Sequence, residues 1–253
     1  MSYHSIEEIK QDLRKLGIQT GDTVLIHSSF KAMGEIEKGA EGFFEAIFSV
    51  VGETGTVMFP TLSFSPCRAT GVFHYHETPS CVGYLSNAFR VLPGVKRSLH
   101  PTHSCAAKGP EADFLVSGHE LDTTPVGPNS PFTKMPLIGG KILMIGCSIK
   151  PMTAMHGVEE TIGNVFLLNE PQEYTLTCED GTVIKSRVCG HAFSAKKLCQ
   201  RYDRLADVLP DSAMVKGNIG DAESYLLDAA TLWQTAHKKM KEDPYFFTAP
   251  YLG

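Results

Sequence analysis

No stretch of this chain approaches the roughly 18 consecutive apolar residues that a membrane span requires, and the opening run MSYHSIEEIKQDLRKLG has no apolar core of the kind a cleaved leader carries. These absences set the expectation of a cytoplasmic protein without membrane contact. A basic footprint is missing too. Lys and Arg number 23 against 28 Asp and Glu, a formal charge of −5, which argues against a broad nucleic-acid or acidic-lipid surface. Any phosphate group must then be met locally. Cys67, Cys81, Cys105, Cys147, Cys178, Cys189 and Cys199 are odd in number and form no CxxC pair, which suits reduced core thiols better than a disulfide framework or a zinc ribbon. Linkers, charge blocks, low-complexity tracts and internal repeats are also lacking.

What remains is an ordinary globular composition, 42% apolar and 20% charged over 253 residues, and it favours one compact domain spanning residues 1–253. Ser5 and Glu8 form a capping box, after which Ile6, Ile9, Leu13 and Leu16 recur at helical spacing until Gly17. DTVLIH then reads as a short buried strand. A hydroxyl-rich loop and a helix through Phe43, Phe44, Ile47 and Val51 follow, and GTVMFP is the next strand. Strand, helix and strand with short connections indicate a sheet covered by helices. KILMIG supplies a later buried strand, GTVIKSRVC a more exposed one, and Tyr225, Leu226, Ala229, Leu232, Trp233 and Ala236 mark a helix near the end. Between Pro60 and Pro136, Gly, Pro, His and Ser dominate and long periodic runs are few, as in functional loops.

Three constellations carry chemistry. In TAMHGVEE, helical steps of about 100° bring Thr153, His156 and Glu159 within reach of one another, so a Glu can fix a His beside a hydroxyl. A solvated amphipathic face is the bland alternative. In HSSFKAMG, Ser28 and Ser29 end a strand where ligands gather in open α/β sheets, or merely cap a helix. In RSLHPTHSCAAKGPEA, Arg97, His100, His103, Ser104 and Lys108 gather donors suited to a polar or anionic ligand. His74, His76, His100 and His103 also leave a metal-dependent hydrolase open, though no familiar acidic ligand spacing accompanies them, and no metal is expected.

Taken in order, DTVLIHSSFKAMG, TPSCVGYLSNAFRVLPGVKRSLHPTHSCAAKGPEA, PVGPNSPF and GGKILMIGCSIKPMTAMHGVEE resemble the signature blocks of the aminoglycoside 3-N-acetyltransferase (antibiotic N-acetyltransferase) family, over Asp22 to Glu160. The resemblance implies a three-layer α/β/α sandwich with a mixed central sheet, in a single domain. It also implies acetyl transfer from acetyl-coenzyme A (acetyl-CoA) to an amine. The family's T-x-x-H-x-x-E run falls on Thr153, His156 and Glu159, implying oxyanion stabilisation, a general base and a carboxylate that orients that base. Coenzyme contacts would fall on Ser28, Ser29, Arg97, Ser98, His100 and Ser104, with Ser130 either serving the same cleft or forming a turn before Pro131. Where the antibiotic-modifying members read FDPRTTPS this chain reads FHYHETPS, so His74 replaces an acid expected to face the drug, with Glu77 nearby. Cys105 stands where the family usually has Phe. The expected partners are acetyl-CoA and a small amine, with a homodimer as the candidate assembly. A coenzyme-binding protein without turnover is the remaining alternative.

Overall fold

The computed structural model of the chain describes residues 2–163 and 167–251. Helix α1 (Ile6–Leu16) begins at the reciprocal cap that its sequence announces. The Glu8 amide donates to Ser5 Oγ at 3.2 Å, and the Ser5 amide donates to Glu8 Oε2 at 2.7 Å. Gly17, at φ 111°, ends it in the left-handed region that a glycine enters without cost.

Strand β1 (Thr23–Ser28) is followed by α2 (Ala40–Val51), β2 (Thr56–Pro60) and α3 (Phe64–Thr70). Next come β3 (Val72–His74), β4 (Lys96–Arg97), β5 (Cys105–Lys108), β6 (Lys141–Ile145) and α4 (Ala154–Thr161). The last third supplies β7 (Gln172–Thr177), β8 (Val183–Val188), β9 (Met214–Ile219), β10 (Ala222–Asp228) and α5 (Ala229–Glu242). Seven strands form the main sheet in the order β9-β10-β6-β1-β2-β5-β4, while β8-β7-β3 form a smaller one.

In the main sheet β1 runs parallel to both neighbours, β2 and β6, whereas the remaining pairings are antiparallel. The sheet is therefore mixed. Alternation along its strands sorts the core into two layers. Val24, Ile26, Val57, Phe59, Leu143 and Ile145 pack under α1 and α2. Leu25, Met58, Ile142 and Met144 face the other way, towards α4 and α5. Burial on both faces explains why these strands read as continuous apolar runs.

Two sequence expectations change. Tyr225 and Leu226 lie in β10, and α5 starts only at Ala229, where Asp228 Oδ1 caps the Thr231 amide at 2.7 Å. Leu226 and Leu227 enter opposite core layers, so a strand buried on both faces ran straight into the helical stripe. The stretch from Pro60 to Pro136 is also more regular than its composition suggests, because β4 and β5 complete one edge of the main sheet.

Candidate active site

Because β1 and β6 are adjacent and parallel, with Ser28 opposite Ile145, their carboxyl ends open side by side. The segment after β6 therefore reaches α4 directly above the end of β1, and α3 follows the end of β2 on the same edge. A cleft of about 470 Å³ lies there, at the sheet edge where crossing connections leave room for ligands. Ser28, Thr153 and His156 line it, together with His27, Arg68, His103, His191 and Gln200 and an apolar wall of Pro60, Leu62, Phe64 and Val82.

Helix α4 delivers the central group. His156 Nδ1 lies 2.8 Å from Glu159 Oε2 one turn on. Tyr202 donates its hydroxyl to the same carboxylate oxygen at 2.9 Å and lies 2.9 Å from His156 Nδ1. Burial, then the Glu159 charge, pushes the Tyr202 phenol well above its ordinary range, so it remains a donor. A carboxylate that accepts from Nδ1–H keeps the imidazole lone pair on Nε2, at the cleft. There the Gln200 amide nitrogen lies 3.0 Å from Nε2 and can donate to it. Thr153 occupies the position before α4; its side chain makes no capping bond, which leaves the hydroxyl for the cleft.

Of the residues expected to hold the coenzyme, Ser28 lines the cleft, whereas Ser29 lies beyond it and donates its amide to the Ile145 carbonyl at 2.8 Å. Arg97, Ser98, His100 and Ser104 are absent from the cleft lining. All four are buried and engaged with protein groups. Ser98 Oγ accepts from the Cys105 amide and meets His119 Nδ1, each at 2.9 Å. His100 Nδ1 accepts the amides of Thr102 and His103, and its ring stacks on His119 with centroids 4.5 Å apart. Ser104 donates to the Thr61 carbonyl at 2.8 Å. Of the loop's donors only His103 lines the cleft, while these four are spent on protein groups, and spacing alone could not separate inward from outward donors. His74 ends β3, outside the cleft lining, and Glu77 is likewise not part of it. Ser130 is buried, and Lys108 bonds the Pro93 carbonyl. Among the described residues, no three His, Cys, Asp or Glu side chains gather as a metal site.

Sequence reading missed Tyr202, Gln200, His191 and Arg68. The first three come from the C-terminal third, where no motif marked them; Arg68 sits in the irregular stretch. Burial lowers His27 to about 4 and His100 to about 3, and pushes His103, His119 and His191 well below their ordinary value. The unfolded chain protonates such groups near 6.5 and the folded chain does not, so their contribution to stability is complete above that pH and is lost as pH falls. Glu160, raised to about 7, and Asp122, also raised, act in the opposite sense as pH climbs past the carboxylate range. With the histidines in the majority, the thermal midpoint is expected to drop between pH 7 and pH 5, each His contributing up to about 1.4 kcal/mol per unit. A flat melting profile over that range would contradict their neutral burial.

Comparison with known proteins agrees with the geometry. The family model for aminoglycoside 3-N-acetyltransferase matches residues 25–241. An aminoglycoside N(3)-acetyltransferase III from Salmonella sp is 37% identical over 173 residues, 62% of this chain and 60% of the relative, so this match spans less than two thirds of that relative's length. Another protein of that name from Salmonella sp is 35% identical over 251 residues, 89% of this chain and 87% of its own length. The crystal structure of a histidine-to-alanine mutant of aminoglycoside acetyltransferase AAC(3)-IVa, in complex with a gentamicin, superposes with a TM-score of 0.85 at 27% identity, covering 98% of this chain and 92% of that one. The chain belongs to the aminoglycoside 3-N-acetyltransferase family.

Proposed function

We propose that this protein transfers the acetyl group of acetyl-CoA to an amine of a small molecule, with His156 as general base. The observation that carries this reading is the Nδ1 bond from His156 to Glu159, which leaves Nε2 facing the cleft. An amine attacks a thioester only through its lone pair, so the base acts where the nitrogen loses a proton. Glu159 and Tyr202 hold the ring and its tautomer, and Gln200 must yield Nε2 to the acceptor. The Thr153 hydroxyl is the donor for the oxyanion, a role that elsewhere contributes about 3 kcal/mol. The apolar wall of Leu62, Phe64 and Val82 suits the pantetheine arm, and Ser28 its polar atoms. Release of free thiol from acetyl-CoA in the presence of an amine panel tests the proposal. No thiol above background with any amine would overturn it.

The family relation makes the 3-amino group of an aminoglycoside the first acceptor to try. One observation favours a second reading of the acceptor. Among the described residues lining the cleft none is a carboxylate, and Arg68 brings a fixed positive charge. Polycations gain from charge-assisted bonds to acids. Amines carrying a single positive charge are accordingly expected to show kcat/KM at least tenfold above an aminoglycoside, a difference of about 1.4 kcal/mol. The reverse order in the same panel would favour the polycationic drug.

A further inference from the structure

A second histidine–carboxylate pair lies against the first. Glu160 follows Glu159 on α4, and its Oε1 lies 3.2 Å from Nε2 of His191. The His191 ring stacks on the His156 ring, with centroids 3.7 Å apart and planes inclined by 23°. Both rings line the cleft. Protein groups fix each member of the pair. The Val126 amide reaches Glu160 Oε1 at 3.1 Å and Oε2 at 3.2 Å. Next to His191, the Gly190 amide donates to Asn169 Oδ1 at 2.6 Å and the Cys189 amide donates to the Thr123 carbonyl at 2.9 Å. The triad of Thr153, His156 and Glu159 makes no use of these groups.

An ammonium that becomes an amide sheds two protons. One must leave to free the lone pair, and the other leaves as nitrogen bonds to carbon. His156 can hold one at a time. We infer that the Glu160–His191 pair takes the first proton from the acceptor's ammonium, leaving His156 free to take the second during attack. The inference rests on the acetyl-transfer reading above. In the first step the ammonium proton moves to His191 Nδ1 while the proton on Nε2 passes to the Glu160 carboxylate, so the pair gains a proton and goes from a net charge of −1 to neutral. The free amine then forms its bond to the thioester carbonyl carbon as His156 Nε2 takes the second proton. When the carbon–sulfur bond breaks, its electron pair goes to sulfur and His156 returns that proton to give the thiol. The first proton leaves Glu160 through His191 to water in the cleft.

The surroundings suit a shuttle whose proton rests on the carboxyl. Burial first, then the charges of His156, His103, Arg68 and His100, disfavours an imidazolium at His191. Burial, reinforced by Glu159 and Asp122 and opposed by Thr124 and the Val126 amide, lifts Glu160 to about 7. Two imidazolium rings 3.7 Å apart would repel, so the first proton must move on before His156 takes its own.

The test compares two acceptors across pH, one an amine whose conjugate acid titrates at about 9 and one at about 6. At pH 7 the first is roughly one part in a hundred free amine in water, and the second is mostly free. The His191→Asn and Glu160→Gln proteins are expected to lose at least tenfold more kcat/KM on the first acceptor than on the second. That gap should close as pH approaches 9. Gln keeps an acceptor for the Val126 amide, and either variant suffices if the other fails to fold. Equal losses on both acceptors at every pH would overturn the relay and leave acetyl transfer standing. A wild-type protein that acetylates neither would overturn the acetyl-transfer reading, and the relay with it.

Discussion

Replacing His156 with alanine is expected to lower kcat/KM for acetyl transfer by about 10²–10⁴-fold, the usual worth of a positioned general base. The expectation follows from geometry. His156 is buried yet lines the cleft, its Nδ1 is committed to Glu159 at 2.8 Å, and no other imidazole in the cleft is held by that carboxylate. Without the ring, the attacking nitrogen has no base for the proton it sheds as it bonds to carbon, and that proton must go to water. Loss should therefore appear in kcat as well as in kcat/KM, since the base acts on the attacking nitrogen rather than on ground-state binding. Truncation also removes one of the two side-chain donors to Glu159 Oε2, leaving Tyr202. His156→Asn retains a polar group in that region, so running it beside His156→Ala separates catalytic loss from strain around the buried carboxylate. Thiol release by both variants at the wild-type rate would remove His156 from the mechanism, provided their melting profiles match the wild type.

The parts of this site that could be read in the sequence share one property: their partners lie close along the chain. Thr153, His156 and Glu159 belong to one helical segment, where the 3.6-residue turn fixes which side chains meet. Ser28 was legible because it ends a buried strand, and such ends gather ligands. The layered sheet announced itself in the same way, through apolar runs of strand length separated by helical periods. Groups brought in from afar had no such signal. Tyr202 meets His156 across 46 positions and Gln200 across 44, and those contacts depend on how the C-terminal third returns to the sheet edge. Arg97, Ser98, His100 and Ser104 show a related gap. Composition reported a dense set of donors, but whether they face a ligand or the protein's own carbonyls is decided by burial, which their spacing does not encode.

Arg97 offers the sharpest separation of those two roles, and Arg97→Met is expected to act on stability. The guanidinium is 4% exposed and lies 4.6 Å above the Phe73 ring. It donates to the carbonyls of Tyr75 at 3.1 Å, Thr78 at 2.6 Å and Thr61 at 3.1 Å, and to Ser104 Oγ at 3.1 Å. Tyr75 and Thr78 follow β3 of the small sheet, whereas Thr61 and Ser104 flank β2 and β5 of the large one. One side chain thus ties the two sheets together. Burial lowers Arg97 to about 10, still charged at neutral pH. Methionine fills similar space and abolishes every donor; the Thr61 carbonyl keeps the Ser104 hydroxyl, but those of Tyr75 and Thr78 lose this partner, at about 1–3 kcal/mol each. Relief from burying a cation offsets part of that loss. A net loss of about 3 kcal/mol follows, which lowers the thermal midpoint by about 6–12 °C for a chain of this size. The folded fraction should keep its KM for acetyl-CoA, because Arg97 is absent from the cleft lining. A raised KM with an unchanged midpoint would return Arg97 to the coenzyme and refute its role as a tie between sheets.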